Sequence, residues 1–567
     1  MTDAAAPRPW IKSYAEGVPD DIELPTGSLA DLIQSSVTEF GNNVALEFFG
    51  REWSYAELGD QIDRAAEGLR RLGVRKGDSI ALMMPNCPQH VVAFYAVLRL
   101  GAIVIEHNPL YTPREMRHQF EEHGATFVIA WDKVVDTLQA FPDDVGIDHI
   151  VSVDMTRAMP FRLRFALKLP IPPARKQRGE LTAKVAGTTR WEELLDSAPI
   201  KPSVEGPTIE DVAVILYTSG TTGGPKGATL SHLNLGANAA QARAWVPTIP
   251  RGTASVHAVL PLFHAYGLTL CLTFAMSMGA RLVLFPRFDP DLVLSVIKKR
   301  PPTFLPAVPP IYERLTMAAQ QDGVSLEGIE IAISGAMPLP QSVITPWEQL
   351  TKGYLVEGYG LSECSPVLTA NPVAENRKQG TIGLPLPGTD IRIVNPDDPT
   401  QDVPAGQPGE LIAKGPQVMS GYWKNPEGTA GVFVDGWYRT GDIAAIDDEG
   451  FITIVDRMKE LVITGGFNVS PTEVEDCLRR FDGVADVAIV GLPSARDGEH
   501  VVAAVVVAPG HTLDPEALRA HARENLAAYK VPKRVYEVDE LPKSLLGKVL
   551  RKNVKEALLA RDDVTSD

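Results

Sequence analysis

From Val44 to about Tyr354 the chain alternates short apolar runs with longer amphipathic segments, the pattern of strand and crossover helix in a layered α/β domain. Ser54 and Glu57 have the spacing of a capping box. Behind them Leu58, Ile62, Ala65, Leu69 and Leu72 share one helical face and Gly73 supplies a stop, so a helix is predicted there, followed by a strand at Ile80–Met84. Further strands are predicted at Val212–Tyr217, Val256–Leu260 and Ile329–Ser334, with a helix after Ser231. The most apolar stretch, Leu268–Met278, is too short for a membrane span, ends at Gly279 and reads as a core helix. Between Gly380 and Val455 helical periodicity gives way to β-type runs such as Ile391–Val394, separated by Gly, Pro and Asp turns. From Arg457 a compact α/β pattern restarts, with helices from Pro471 and Asp514 and strands at Val484–Val490 and Val501–Val507. The fold class expected is α/β. A large N-terminal domain over 1–456, made of layered α/β subdomains with a small β-barrel-like part at about 380–455, precedes a smaller, mobile C-terminal α/β domain over 457–567.

A chain of 567 residues with 44% hydrophobic and 22% charged positions can bury a large core and should form several packed units. Its net charge of −17 argues against a protein that holds nucleic acid over its surface, so an anionic ligand must meet a local site. Cys87, Cys271, Cys364 and Cys477 are far apart and form no CxxC pair, which suggests neither a zinc site nor a disulfide framework. The first thirty residues carry Arg8, Lys12, Asp20, Asp21 and several prolines instead of an apolar leader, so a cytoplasmic location is expected. Against this acidic background Arg157–Arg190 stands out. Nine Lys and Arg residues there are interspersed with Phe161, Leu163, Phe165, Leu167 and Leu169. Such a segment reads either as a peripheral contact with the inner face of the cell membrane or as a solvated, disordered insertion.

The strongest chemical feature is Thr218-Ser219-Gly220-Thr221-Thr222-Gly223-Gly224-Pro225-Lys226-Gly227, directly after a buried-type strand. Small hydroxyl and glycine residues leave backbone N–H groups free to surround phosphate oxygens, and Lys226 adds a mobile positive charge. The P-loop of kinases and NTPases requires Gly-Lys-Ser/Thr at its end. Here Pro225 has no N–H to donate and Gly227 has no hydroxyl for magnesium, so that alternative is weak.

The loop closely resembles the signature of the adenylate-forming superfamily, which includes acyl-CoA synthetases, peptide-synthetase adenylation domains and firefly luciferase. Other motifs follow in family order. Glu357-Gly358-Tyr359-Gly360-Leu361-Ser362-Glu363 resembles the adenine and magnesium motif, with Ser362 where many members have Thr. Its glycines permit close approach to a planar base, Tyr359 can stack on it, and Glu363 is a hard oxygen ligand for Mg2+. Gly335 and Ala336, just after a strand, are similar to the stretch lining the other side of the adenine and the acyl pocket. Asp442 resembles the ribose-binding acid, Lys459 the hinge, and Arg457 a further ribose contact. Gly465, Gly466, Phe467 and Asn468 resemble the loop that enters the site for thioester formation in CoA ligases, and Lys548 matches the catalytic lysine of adenylation.

What the resemblance implies is a two-step reaction with ATP, CoA and Mg2+: a carboxylate attacks the α-phosphorus to give acyl-AMP and pyrophosphate, and the CoA thiol then displaces AMP. Lys548, Lys226 and Glu363 are the implied catalytic residues. Nucleotide contacts would come from Thr218, Ser219, Gly220, Thr221, Thr222, Lys226, Gly335, Ala336, Glu357, Gly358, Tyr359, Gly360, Ser362, Asp442 and Arg457, with Thr218 joining Glu363 at the metal. His264 is the implied acyl gate, with a packed, hydrogen-bonded histidine as the alternative. Ala265, Gly267, Gly335 and Ala336 are small and would leave room for a long or wide apolar tail. The motif wording is similar to bacterial long-chain fatty acid–CoA ligases. A medium-chain or aryl acid is the alternative substrate, and a luciferase-like oxygenase and a non-catalytic lipid-binding homologue are the alternative classes. The partners expected are small molecules, with no nucleic acid, a peripheral membrane through about 157–190, and a homodimer.

Overall fold

The computed structural model describes residues 8–218, 225–458, 460–464, 467–494, 498–544 and 547–561. The chain divides into two compact units, one running to Asp390 and resuming over Lys414–Phe433, the other formed by Ile391–Ala413 and the chain from Val434 onward.

The predicted elements form for the predicted reasons. Ser54 caps the helix Tyr55–Leu72 in a full capping box with Glu57, and Gly73 ends it in a left-handed conformation at φ 111°. Its buried face carries Leu58, Ile62, Ala65 and Leu69. Strands appear at Ser79–Met83, Val212–Thr218, Ser255–Ala258 and Ile331–Ser334, and Ser231 caps the helix His232–Trp245. The apolar stretch after His264 is a buried helix, as expected, with a π-helical turn over Leu268–Thr273 leading into Phe274–Ser277.

The first unit is organised on two large sheets. One places Tyr354–Gly360, Ile331–Ser334, Phe304–Ala307, Ser255–Ala258, Arg281–Leu284 and Val44–Phe48 side by side in parallel, with antiparallel strands at both ends. The other sets Val212–Thr218 beside the parallel strands Ile103–Glu106, Ser79–Met83, Phe127–Trp131 and His149–Val153. Strands covered on both faces read as continuous apolar runs, which is why Ser79–Met83, Val212–Thr218, Ser255–Ala258 and Ile331–Ser334 were legible without an alternating pattern.

The stretch 380–455 is β-rich but does not stay together as one small barrel. Asp390–Val394, Gly409–Lys414, Phe433–Val434, Trp437–Ile446 and Ile452–Arg457 form one sheet. Gly421–Tyr422 instead pairs antiparallel with Lys226–Ser231, adding an edge strand to the second large sheet. A short helix, Pro426–Ala430, interrupts the run. The reason is local: two residues of extended chain suffice to satisfy an open sheet edge, and so brief a strand has no periodicity to read. The C-terminal part follows its prediction, with Val484–Ser494 and Gly498–Val507 antiparallel and the helices Pro471–Leu478 and Pro515–Asn525 packed in one apolar cluster with them.

The segment 157–190 is not a structureless insertion. It forms two helices, Phe161–Ala166 and Pro172–Leu181, and a two-residue strand at Thr189–Arg190. All four cysteines are free and buried. No described helix is long and apolar enough to cross a membrane.

Candidate active site

The predicted phosphate loop lies between two antiparallel strands. Tyr217 lies opposite Gly227 and Thr218 opposite Lys226, so the chain leaves one strand and returns along its neighbour. A P-loop runs from strand into helix, and this topology excludes it independently of Pro225. Ser219, Gly220, Thr221 and Thr222 lie outside the described residues. At the base of the hairpin the Thr218 hydroxyl donates to the Lys226 carbonyl at 3.4 Å. Gly227 lacks a side chain for a packing reason: an added Cβ would come within 2.8 Å of Ile215 and 3.3 Å of Trp423.

The edge strand beside the hairpin joins two of the predicted residues. Lys226 Nζ lies 5.0 Å from the ring centroid of Tyr422, a cation–π distance, and the Tyr422 hydroxyl donates to Glu363 Oε1 at 2.9 Å. Glu363 is buried in a short 3-10 turn that starts at Ser362, and its carbonyl accepts from Met419 N at 2.8 Å. Asn234 of the helix His232–Trp245 donates to the carbonyls of Pro416 and Val418, and Ser365 Oγ to that of Gln417. The strand bearing Tyr422 is thus tied to the hairpin on one side and to the acid-bearing turn on the other. Sequence reasoning missed Tyr422, although its place in Gly421-Tyr422-Trp423 between apolar runs was a visible if weak signal.

Glu357, Gly358, Tyr359 and Gly360 end the strand Tyr354–Gly360, next to Ile331–Ser334 with Ser334 opposite Glu357. Beyond Ser334 the chain turns through Gly335 and Ala336, and Ala336 holds φ +68°, an unusual conformation for a residue with a side chain. An added Cβ at Gly335 would lie 3.2 Å from the Tyr266 ring and 3.4 Å from the Gly358 carbonyl, and at Gly360 it would collide with Pro366 O at 1.9 Å. These glycines bring two strand ends and the Tyr266 ring together. Burial pushes the Glu357 carboxyl up to about 8; it accepts from Leu339 N at 3.2 Å.

Tyr266, a second residue missed by sequence reasoning, donates from its hydroxyl to Ile333 O at 2.6 Å. His264 Nδ1 accepts from Tyr266 N at 3.2 Å, capping the turn that follows, and burial lowers its pKa to about 4, so it is neutral. The expectation that Gly267 leaves room for the acid is corrected: an added Cβ there would stand 2.1 Å from Pro261 O, so its smallness serves close backbone packing. Ala265 is buried as well.

In the second unit Asp442 is buried in the strand Trp437–Ile446, and its backbone pairs with Arg457 in Ile452–Arg457. The preceding Gly441 takes φ 73° and its carbonyl accepts from Met458 N at 2.9 Å. Asp456 accepts from Ser470 Oγ at 2.5 Å and from Thr472 N at 3.1 Å, fastening this strand to the helix Pro471–Leu478. Lys459, Gly465 and Gly466 lie outside the described residues; Phe467 and Asn468 belong to a strand whose backbone pairs with Val462–Thr464.

Lys548 is held against Ser544. Its carbonyl accepts from Ser544 N at 2.7 Å, its N–H donates to Ser544 Oγ at 3.1 Å, and Gly547 supplies a φ of 82°. Immediately beyond, the Arg551 guanidinium bonds both Glu475 oxygens, at 2.9 and 2.7 Å, and pairs with Glu460. Burial alone would lower its pKa, but Glu475 and Glu460 carry it above the usual arginine value. Lys543 pairs with Asp486 at 2.7 Å on the surface.

Residues 33–423 match the family model described as AMP-binding enzyme, and 473–548 that of the AMP-binding enzyme C-terminal domain. The chain belongs to the AMP-binding enzyme family. Family members similar to it include a long-chain-fatty-acid–CoA ligase of Bacillus subtilis strain 168, 37% identical over 97% of this chain and 98% of the relative. Another of that description, from Escherichia coli O6:H1, is 36% identical over 98% and 99% of the two chains. Among solved structures, ATP-bound MatB from Rhodopseudomonas palustris superposes with a TM-score of 0.80 at 30% identity, covering 94% of this chain and 99% of the other. Membership of the AMP-binding enzymes gives the hairpin loop and the turn at Lys548 a common context that neither has alone.

Proposed function

We propose that this AMP-binding enzyme is a long-chain fatty acid–CoA ligase, joining a fatty acid to CoA with cleavage of ATP to AMP and pyrophosphate through an acyl-AMP intermediate. The observation that carries the nucleotide half is the linked set Thr218, Lys226, Tyr422 and Glu363: a hydroxyl and a cation at the base of the loop hairpin, joined through one phenol to a buried acid. The relatives' own activity supports the choice of acid.

In the first step the fatty carboxylate attacks the α-phosphorus of ATP and the pyrophosphate leaves. Ser219, Gly220, Thr221 and Thr222, with Lys226, would hold the phosphates. Lys548 would stabilise negative charge developing as carboxylate attacks and pyrophosphate departs. The base would lie against Gly335, Ala336, Gly358, Tyr359, Gly360 and Ser362, near Glu357, and Asp442 and Arg457 would take the ribose hydroxyls. A buried carboxylate with one oxygen already held by a phenol, and a threonine hydroxyl on the loop hairpin, suit a hard cation that keeps most of its contacts to phosphate oxygens and water, so Glu363 and Thr218 would hold Mg2+. The bound metal would neutralise phosphate charge.

In the second step the CoA thiol attacks the acyl carbonyl and AMP leaves. The division of labour proposed is a mobile C-terminal domain beginning at 457, with Lys459 as pivot, so that the Gly465–Asn468 loop replaces Lys548 between steps. His264, neutral and capping its turn, would flank the acyl group. Peripheral contact with a membrane through 157–190 and pairing into a homodimer belong to the same proposal; the exposed apolar side chains of 157–190 support the first. The test is acid-dependent pyrophosphate release across a chain-length series, with and without CoA. Thioester formed from palmitate or oleate is the expected result, and no response to either acid would overturn the long-chain reading.

A further inference from the structure

Asn86 is a buried polar side chain to which the proposed chemistry gives no part. It lies just past the strand Ser79–Met83, shortly before the helix Pro88–Arg99, and is 3% exposed. Its amide nitrogen donates to Ala258 O at 2.9 Å and to Leu260 O at 2.7 Å, and its oxygen accepts from Leu262 N at 2.8 Å. The orientation of the amide follows from its partners: reversed, it would set its oxygen against two carbonyls and its nitrogen against an N–H.

Its place in the fold bears on its role. Ser79–Met83 belongs to one of the large sheets and Ser255–Ala258 to the other, and Asn86 and Leu260 both follow the carboxyl ends of parallel strands. Open α/β sheets take their ligands beyond those ends. One side chain thus bridges the two sheets on the ligand-binding side.

What Asn86 holds is the lead-in to His264. Ser255–Ala258 is already paired with Arg281–Leu284, and that ladder ends at Ala258, where the contacts of Asn86 begin. Leu260 O and Leu262 N lie past the strand, so the amide gives backbone groups the partners that the sheet no longer supplies. From there the chain closes on itself, with His264 N donating to Pro261 O at 3.2 Å and Leu268 N to His264 O at 2.9 Å. At the far end the Tyr266 hydroxyl is tied to Ile333 O. The segment therefore hangs between two attachments, Asn86 before His264 and Tyr266 after it. The Tyr266 ring, which meets Gly335, keeps its own tie when the first attachment is loosened.

We infer that Asn86 is a positioning residue for the acid: by pinning Ala258, Leu260 and Leu262 it sets the turn that carries His264 against the acyl group. The inference deepens the proposed function and rests on its placement of His264, but not on which acid is used. A group displaced by about 1 Å from its productive position can cost about 10²-fold in rate, so the path of this lead-in matters to the reaction as well as to the fold.

The experiment compares the full chain with its Asn86→Ser and Asn86→Asp variants in ATP–pyrophosphate exchange. The acids are the one the wild type uses best and shorter and longer members of the same series. A serine hydroxyl cannot reach all three backbone groups. Asn86→Ser should raise the KM for the acid about tenfold or more and the KM for ATP by less than about twofold, and it should narrow the preference for the best acid over its neighbours by at least about threefold. Asn86→Asp keeps the shape and an acceptor for Leu262 N but sets an oxygen against Ala258 O and Leu260 O, so it should be impaired at least as much as the serine variant. Wild-type kinetics in Asn86→Asp would show that the two donated bonds are dispensable, and equal rises in both KM values would make Asn86 a general brace; either result overturns the inference. So does failure of both variants to fold, which would assign the amide to the fold alone. Exchange that depends on no acid in the wild type would instead strike the ligase reading itself, and the inference would fall with it.

Discussion

Glu363 and Lys548 are proposed to serve one reaction with opposite charges, and the protein holds them in opposite ways. Glu363 is buried, its carboxylate bonded by Tyr422 from an edge strand of a large sheet, with the neighbouring backbone tied to the helix His232–Trp245. Lys548 is tied to Ser544 through backbone and side chain, and the firm attachment comes three residues later, where Arg551 grips Glu475 and Glu460. A group proposed to stay with its ligand is buried in a turn braced by the edge of a sheet, and a group proposed to leave between two steps has its anchor beside it. The contrast predicts that damage at the first place should be local and chemical, while at the second the anchor and the catalytic group should separate by experiment.

The largest effect should come from the anchor. Arg551 is mostly buried between two carboxylates, and removing it leaves their charge uncompensated, which for such pairs costs about 3–5 kcal/mol. Arg551→Ala should therefore lower the stability of the C-terminal unit by about that amount in urea titration, and Arg551→Lys by less, since one ammonium cannot reproduce the paired contacts to Glu475. An unchanged midpoint would mean that the turn at Lys548 is held by its backbone alone.

Lys548→Ala should leave that midpoint in place and act on chemistry. Loss of one group that stabilises developing charge costs about 10²–10³-fold in rate, and that loss should appear in ATP–pyrophosphate exchange. Thioester formation from supplied acyl-AMP should change by less than about tenfold, because the lysine would have left before that step. Equal losses in the two half-reactions would refute the assignment of Lys548 to the first alone.

The two regions were also unequally legible. The strand before the loop, the helix from Ser54 and the C-terminal strands follow from patterns that local physics enforces: caps, stops and apolar runs. Lys548 could be singled out in sequence because a short motif surrounds it. Tyr422 and Tyr266 were not, because their importance lies in partners 59 and 67 residues away, Glu363 and the Ile333 carbonyl, and no window of local sequence contains such a contact. Gly267 was misread for a related reason. A missing side chain looks the same in sequence whether it makes room for a ligand or for the Pro261 carbonyl. The departure of Gly421–Tyr422 from the β-rich stretch was hidden in the same way, since edge pairing with Lys226–Ser231 is a long-range event.

Tyr422→Phe sharpens the comparison at the buried acid. The change keeps the ring beneath Lys226 and removes only the hydroxyl that donates to Glu363. A hydrogen bond to a charged group is worth about 1.5–3 kcal/mol, but solvent or metal can take the vacated place, so a loss of about tenfold in adenylation is expected. The distinguishing readout is the Mg2+ concentration giving half-maximal rate, which should rise; an effect confined to thermal stability would reduce Tyr422 to a packing residue.

The smallest change at any one step concerns Glu357, an acid whose titration is displaced by burial. Its carboxyl is pushed up to about 8, with Leu339 N its hydrogen-bond donor. The folded chain therefore keeps a proton there that the unfolded chain releases near the ordinary glutamate value. The contribution to stability is fully present below about pH 4.5 and declines as pH rises to about 8, with a slope of at most about 1.4 kcal/mol per pH unit. Glu357→Gln removes the titration while keeping the shape. Thermal transitions of the two proteins should lie nearest each other at pH 5, and the glutamine variant should gain relative to wild type at each step through pH 6, 7 and 8. Parallel curves over that range would show that Glu357 is ionised in the folded chain, and the neutral-acid account would fail.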